Sequence, residues 1–170
     1  KLFEQKDGSV MDKFAALGSS PNAYTSFNQT VYLFSCTDRF EENFDLLLDY
    51  VQHPFITGES VEKEKGIIGQ EIRMYQDDPG WRSFFNLLGA LYNKLPVQID
   101  IAGTVESISK IDRETLYKCY NTFYHPSNMA ILVVGDVEPQ GVFERVEAAL
   151  EKKDARPPIR RIFPEEPVWI

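Results

Sequence analysis

Two glutamates, Glu64 and Glu71, have the residue type and spacing best suited to chemistry in this sequence. An α-helix has about 3.6 residues per turn, so a spacing of seven residues puts both carboxylates on nearly the same face. That face also carries apolar side chains at helical spacing, namely Ile67, Ile68, Ile72 and Tyr75. A carboxylate buried on such a face needs a metal, a cation or hydrogen-bond donors. The alternative is a pair of solvated glutamates on a charged helix.

The helix that positions these glutamates is predicted over about residues 57 to 76. Thr57 or Ser60 can cap its beginning, and Asp77-Asp78-Pro79 ends it. Further helices are predicted from Met11 to Leu17, from Phe40 to Val51 with Asp38 as its cap, from Trp81 to Tyr92, from Asp112 through Phe123, and from Pro139 to about Lys152. The opening Lys1 to Glu4 is also interpreted as part of a helix, whose earlier turns would precede Lys1.

Two segments have the composition of strands. Asn22 to Thr37 is rich in aromatic and β-branched residues, which predicts one long strand or a hairpin that turns near Asn28-Gln29. Met129 to Val134 is a continuous apolar run, which predicts a strand buried on both faces. Strands and helices do not alternate regularly, so we expect an α+β fold with one sheet covered by helices rather than a doubly wound sheet.

The composition bounds the class of protein. The chain has 170 residues, 43% of them hydrophobic, and a net charge of -8, which argues against a nucleic-acid partner and gives no basic patch for a membrane surface. No apolar run approaches the length of a membrane span. Cys36 and Cys119 fit no metal-binding or redox spacing, which indicates reduced core residues in a cytoplasmic protein. His53 and His125 each precede a proline, and both are interpreted as structural turn residues.

Residues 1–152 are predicted to form one domain, and residues 153–170 a proline-rich linker and the start of the next domain. The linker region carries the basic cluster of this otherwise acidic chain, formed by Lys152, Lys153, Arg156, Arg160 and Arg161.

Five segments in order resemble the first domain of the insulinase/pitrilysin family of zinc metallopeptidases (M16), and in particular its bacterial processing-peptidase-like branch. They are Lys1 to Glu4, Asn22 to Ser26, Glu64 to Tyr75, Ala102 to Thr104, and Phe123 to Met129. The resemblance extends to about Leu150, and an ordered match of five segments is far more specific than any one of them. It implies a mixed, mostly antiparallel β-sheet covered by helices, of the M16 or LuxS-like metallohydrolase type.

The resemblance also implies a set of site residues. In the family an H-x-x-E-H motif supplies two zinc-binding histidines and the catalytic glutamate, and it would end immediately before Lys1. Glu71 corresponds to the third zinc ligand, and Glu64 to a carboxylate that supports the site. The five residues that match the family's substrate-binding edge strand are Asn22, Ala23, Tyr24, Thr25 and Ser26.

The implied function is hydrolysis of peptide bonds by a zinc-dependent metalloendopeptidase. The chain alone is expected to be inactive and to hold zinc weakly if at all, because it supplies one ligand where three are needed. The implied partners are a peptide or protein substrate and the remaining M16 domains, and a dimer is compatible with the resemblance. Two alternatives stay open: a noncatalytic M16-like subunit that acts as a binding or scaffold protein, and an unrelated α+β interaction domain.

Overall fold

The computed structural model describes residues 4–6 and 8–167, which form α-helices and two small antiparallel sheets. The elements in chain order are β1 (Glu4–Gln5), β2 (Gly8–Ser9), α1 (Val10–Ala16), β3 (Ser20–Thr25), β4 (Thr30–Ser35), α2 (Phe40–Gln52), α3 (Gly58–Gln76), α4 (Pro79–Leu91), α5 (Val105–Ser109), α6 (Arg113–Phe123) and α7 (Pro139–Ala149), with 3-10 turns at Pro96–Gln98 and Pro126–Asn128. This arrangement confirms the α+β class. No helix among the described residues is long and apolar enough to cross a membrane.

The β3–β4 hairpin confirms the prediction for the aromatic and β-branched stretch. The two strands pair in register from Ser20 opposite Ser35 to Thr25 opposite Thr30, so the chain turns through residues 26–29. In the turn, the Ser26 N–H donates to the Gln29 carbonyl at 2.8 Å.

The hydrophobic core lies between the hairpin and the first two helices. Phe14 of α1 has no exposed surface, and its ring packs at 5.7 Å on Phe34 of β4 and at 6.0 Å on Tyr50 of α2. Val10 and Val51 complete the buried cluster. Because burial of a large aromatic side chain is among the strongest stabilising contributions in a small domain, this cluster fixes the hairpin against α1 and α2.

Helix α3, which carries both glutamates, begins with a capping box. The Thr57 side chain accepts from the Ser60 N–H at 3.0 Å, and the Ser60 hydroxyl oxygen accepts from the Thr57 N–H at 3.0 Å. These bonds satisfy two N–H groups that an uncapped helix leaves without partners. Of the apolar residues predicted beside the glutamates, Ile72 is buried, but Ile67 is 43% exposed, so the apolar face is narrower than its spacing predicts.

The predicted strand from Met129 to Val134 is wrong for this chain. These residues form no strand, and the side chains of Leu132 and Val134 are 87% and 88% exposed. A strand needs a neighbouring strand for its N–H and C=O groups, and within residues 4–6 and 8–167 none pairs with this segment. The segment has a high β-propensity, but without a partner strand it lies as an irregular apolar segment at the surface.

Three smaller predictions are also wrong. Glu4 lies in strand β1, which pairs with β2, and not in a helix, while Lys1 to Phe3 lie outside the described residues. Asp38 does not cap α2: its carboxylate accepts from the Arg39 N–H at 2.7 Å, and Arg39 occupies the cap position with φ of 54°. Both cysteines are free, but Cys119 is exposed and Cys36 only half-buried, so neither is a core residue.

The segment from 150 to 167 is irregular and is tied to four parts of the molecule. The Glu151 N–H donates to Gln52 Oε1 at the end of α2 at 2.9 Å. Further hydrogen bonds run from Arg156 to the Asn121 carbonyl at 2.9 Å, from Arg161 to the Asn28 carbonyl at 3.1 Å, and to the Glu166 carboxylate from the N–H groups of Asn93, Lys94 and Leu95. The segment thus contacts α2, α6, the hairpin turn and the loop after α4. The division into a domain of residues 1–152 and a linker of residues 153–170 stays a prediction.

Candidate functional site

Glu64 and Glu71 are both half-buried on α3, two turns apart. Their environments differ. Glu71 Oε1 accepts a hydrogen bond from the Tyr75 hydroxyl at 2.8 Å, one turn further along the helix. Glu64 Oε1 is buried and has no hydrogen-bond partner among the described residues. This burial disfavours the alternative of two solvated glutamates.

A buried carboxylate oxygen without a partner is costly, because the group has lost its water without gaining a donor. The Glu64 oxygen therefore needs a donor that is not among residues 4–6 and 8–167, such as water or another part of the protein. The neighbouring Lys63 shows which part of the chain is near: its ammonium group lies 2.8 Å from the Glu4 carboxylate. Strand β1 thus lies within reach of α3 at Lys63, the residue before Glu64.

The Tyr75 ring that holds Glu71 is itself packed on α4. It stacks on Trp81 with a centroid distance of 4.4 Å and an interplanar angle of 13°. The Trp81 indole N–H donates to Asp100 Oδ2 at 2.7 Å, and Asp100 Oδ1 accepts from the Ala102 N–H at 2.9 Å. The hydrogen bond to Glu71, together with partial burial, raises the pKa of the Tyr75 hydroxyl above its ordinary value.

Aromatic contacts continue from this point to the hairpin. The Trp81 ring lies 5.1 Å from Phe85 on the next turn of α4, and Phe85 lies 6.3 Å from Phe27 in the turn between β3 and β4. The hairpin that contains the predicted substrate strand therefore rests on the same helix that supports Tyr75.

Strand β3 pairs with β4 along one edge, and no strand among the described residues pairs with its other edge. Bonded and non-bonded pairs alternate along an antiparallel ladder. Since the Ser26 N–H bonds across the hairpin, the N–H of Ala23 faces away from β4. That N–H donates to Asn22 Oδ1 at 2.8 Å. A peptide added at this edge would have to take the Ala23 N–H from the Asn22 side chain.

A complete metal site is not found in the part of the chain that the structure describes, where no group of three histidine, cysteine or acidic side chains could hold an ion. The two histidines have other partners. His53 lies 3.0 Å from both Asp49 and Glu151, and the buried His125 bonds to Ser127 at 2.7 Å through Nδ1. The roles predicted for Glu71, Glu64 and residues 22–26 stay predictions.

A sequence model of the insulinase family (peptidase family M16) matches residues 4–105, which is more than half of the chain. The chain belongs to the M16 peptidase family. A second model, described as the peptidase M16 inactive domain, matches residues 110–168. The family resemblance inferred from the five sequence segments is confirmed.

Related sequences and solved structures are consistent with the M16 family. A Bacillus subtilis relative described as the uncharacterized zinc protease YmfH is 54% identical over 153 residues, which are 90% of this chain and 36% of that protein. The crystal structure of an M16-like peptidase from Alicyclobacillus acidocaldarius has a TM-score of 0.89 at 47% identity, and the match covers 98% of this chain and 40% of that one. The chain thus spans about two fifths or less of these two proteins. A Helicobacter pylori protease at 22% identity, with a TM-score of 0.86 over 97% of this chain and 42% of that one, shares the fold.

The aromatic support of Glu71 was not predicted from the sequence. Tyr75 was predicted only as an apolar neighbour, although its position four residues after Glu71 is the spacing at which helical side chains meet. No local pattern could have found the bond from Trp81 to Asp100, because those residues are 19 positions apart and lie in different elements.

Proposed function

We propose that the full-length protein is a zinc-dependent metalloendopeptidase in which Glu71 is one of three protein ligands of the zinc ion. The observation that carries this proposal is the pair of half-buried carboxylates on one face of α3, one of which keeps a buried oxygen without a partner among the described residues. A half-buried carboxylate pair on one helix face fits a site that a metal and its other ligands would complete. Relatives of this chain are named zinc proteases.

Glu71 would hold the zinc ion together with two histidines of an H-x-x-E-H segment that precedes Lys1 in the full-length protein. Zinc in such a site polarises a carbonyl and lowers the pKa of its water. Within this chain, the Glu71 carboxylate would supply the negative charge at the metal, and one of its oxygens accepts the hydrogen bond from the Tyr75 hydroxyl. Glu64 would accept from a ligand's N–H through its unpartnered oxygen and so orient that ligand.

The substrate would be an extended peptide or protein segment that adds as a strand along the outer edge of β3. This edge has outward N–H groups but offers no charged side chain from Asn22 to Ser26, so main-chain hydrogen bonds would dominate recognition. The hairpin's contact with α4 would hold that strand at a fixed position relative to Glu71.

The remaining M16 domains would be partners of this chain, because the chain covers 36% of YmfH and 40% of the Alicyclobacillus peptidase. Residues 1–170 alone would neither hold zinc tightly nor hydrolyse peptides, since they provide one of the three ligands. A cytoplasmic location is proposed on the two free cysteines. One structural neighbour, PqqL of Escherichia coli, is described as periplasmic. Cell fractionation, which shows whether the full-length protein is found in the cytoplasmic or the periplasmic fraction, tests this proposal.

Replacement of Glu71 by Gln in the full-length protein tests the proposal. Zinc content and peptide hydrolysis should both fall to near background, while the circular dichroism spectrum stays unchanged, because Gln fills the same space without a charge. Glu62→Gln on the same helix is the matched control, since Glu62 is 71% exposed, and both readings should stay at the wild-type level. Full activity and zinc in Glu71→Gln would place the third ligand elsewhere.

A noncatalytic M16-like subunit that serves as a binding or scaffold protein is the second candidate. Residues 110–168 match the family's inactive-domain model while both glutamates lie in the part matched by the other model, so the matches are compatible with this function as well. This function predicts a folded full-length protein that binds peptide without zinc and without hydrolysis, and a native sequence in which the H-x-x-E-H segment lacks a histidine or its glutamate.

A further inference from the structure

We propose that Tyr75 is a positioning residue that holds the Glu71 carboxylate in the orientation needed for metal binding, and that Trp81 and Asp100 fix Tyr75 in turn. This inference rests on the proposed function, because it concerns the same carboxylate. It adds three residues that lie outside the zinc motif and outside the pair of glutamates.

The first step is the hydrogen bond from the Tyr75 hydroxyl to Glu71 Oε1, at 2.8 Å. The terminal torsion of a glutamate is broad and poorly defined when its oxygens have no fixed donor. A donor one turn away on the same helix holds one oxygen and thereby sets the direction of the other. Hydrogen-bonded carboxylate ligands of this kind are the usual arrangement in protein metal sites.

The second step is the immobilisation of the tyrosine ring. Tyr75 is near the end of α3, where a side chain could otherwise change rotamer. The Trp81 ring lies parallel to it at 4.4 Å, and the Trp81 indole is anchored by its 2.7 Å bond to Asp100. A stacked aromatic contact of this kind favours the rotamer of Tyr75 that keeps its ring on Trp81.

The third step is the anchoring of Asp100 itself. Its second oxygen accepts from the Ala102 N–H at 2.9 Å, so the carboxylate bridges the indole and the loop that leads to α5. The path from Ala102 to Glu71 thus runs through Asp100, Trp81 and Tyr75 without a gap.

The test uses the full-length protein and measures zinc affinity by competition with a chromophoric chelator. Tyr75→Phe keeps the ring and its stacking but removes the hydroxyl, and it should weaken zinc binding about 10-fold. Its cobalt-substituted form should show shifted visible absorption bands, because the carboxylate approaches the metal differently. Tyr120→Phe is the matched control: it removes a hydroxyl that bonds to the Val51 and Gln52 carbonyls, and it should leave the affinity and the cobalt spectrum unchanged.

Parallel measurements on Glu71→Gln separate this inference from the proposed function. Loss of zinc in Glu71→Gln with unchanged affinity and cobalt spectrum in Tyr75→Phe overturns the role of Tyr75 alone. Unchanged zinc binding in both variants overturns the assignment of Glu71 as well. Should Tyr75→Phe fail to fold by circular dichroism, Trp81→Phe decides instead: it keeps an aromatic ring but loses the bond to Asp100, and it should weaken zinc binding severalfold, while wild-type affinity contradicts the proposal.

Discussion

At the scale of single residues, the two glutamates of α3 have different surroundings that point to different tasks. Glu71 accepts a hydrogen bond from the Tyr75 hydroxyl, which is what we expect of a metal ligand whose orientation matters. Glu64 has a buried oxygen without a donor among the described residues. This is what we expect of a group that accepts from an N–H elsewhere in the protein. The difference predicts distinct effects when each is made neutral.

Replacement of Glu64 by Gln in the full-length protein should lower kcat/KM for a peptide substrate by about 10- to 100-fold while zinc stays bound. The reason is that the amide can still fill the space but orients a neighbouring ligand less well. Zinc analysis and steady-state kinetics on the same preparation measure both effects. Complete loss of zinc in Glu64→Gln would mean that Glu64 itself is a ligand.

Replacement of Asn22 by Ala frees the outward N–H of Ala23 for a bound peptide. A net hydrogen bond is worth about 0.5–1.5 kcal/mol, so the KM for a peptide substrate should fall about 2- to 10-fold. Asn121→Ala, at an exposed position on α6, is the control and should leave KM unchanged. A higher KM in Asn22→Ala would show that the Asn22 side chain binds substrate rather than competing with it.

The sequence was sufficient to place both glutamates on one half-buried face, because that conclusion depends only on helical periodicity. The prediction that Ile67 lies on the buried face was wrong, because this residue has the right spacing but is 43% exposed. The width of a buried face depends on which elements pack against the helix. The role of the Tyr75 hydroxyl was missed for a related reason: its ring was interpreted by its apolar character alone.

At the scale of elements, local signals predicted several helix starts but not every cap. Helix α3 begins at an expected capping residue, and α6 and α7 begin as predicted after Asp112 and Glu138, whose side chains accept from backbone N–H groups of the first turn. Helix α4 begins two residues before the predicted Trp81 with Asp78 as its cap, and Asp38 does not cap α2. The prediction of a strand over residues 129–134 was wrong because strand formation depends on partners that are distant in sequence.

The capping box of α3 gives a stability prediction. Thr57→Ala removes the side chain that accepts from the Ser60 N–H, and it should lower the free energy of unfolding by about 1 kcal/mol in urea titrations followed by circular dichroism. Thr37→Ala, at an exposed position outside the helices, should change it by less than about 0.5 kcal/mol. Equal effects of the two changes would show that the cap does not stabilise α3.

At the scale of the whole molecule, the described chain leaves an apolar surface that a longer protein can cover. Leu132 and Val134 are almost fully exposed, and Ile162 in the segment after α7 is 85% exposed. The relatives that this chain matches are longer than it is, so we expect a further part of the full-length protein to cover these side chains.

Hydrogen exchange tests this expectation. In the full-length protein, the amides of residues 130–134 should exchange at least about 100-fold more slowly than in residues 1–170 alone, because neighbouring strands would bond to them. The amides of α3, which bond within the helix, serve as the internal control and should exchange at similar rates in both proteins. Equally fast exchange of residues 130–134 in both would show that no strand covers the segment.

The most direct measurement of the central claim is anomalous X-ray scattering at the zinc absorption edge from crystals of the full-length protein. We expect one strong peak at about 2.0–2.2 Å from a carboxylate oxygen of Glu71, with Tyr75 still bonded to the other oxygen. A zinc peak whose protein ligands do not include Glu71 would contradict this account.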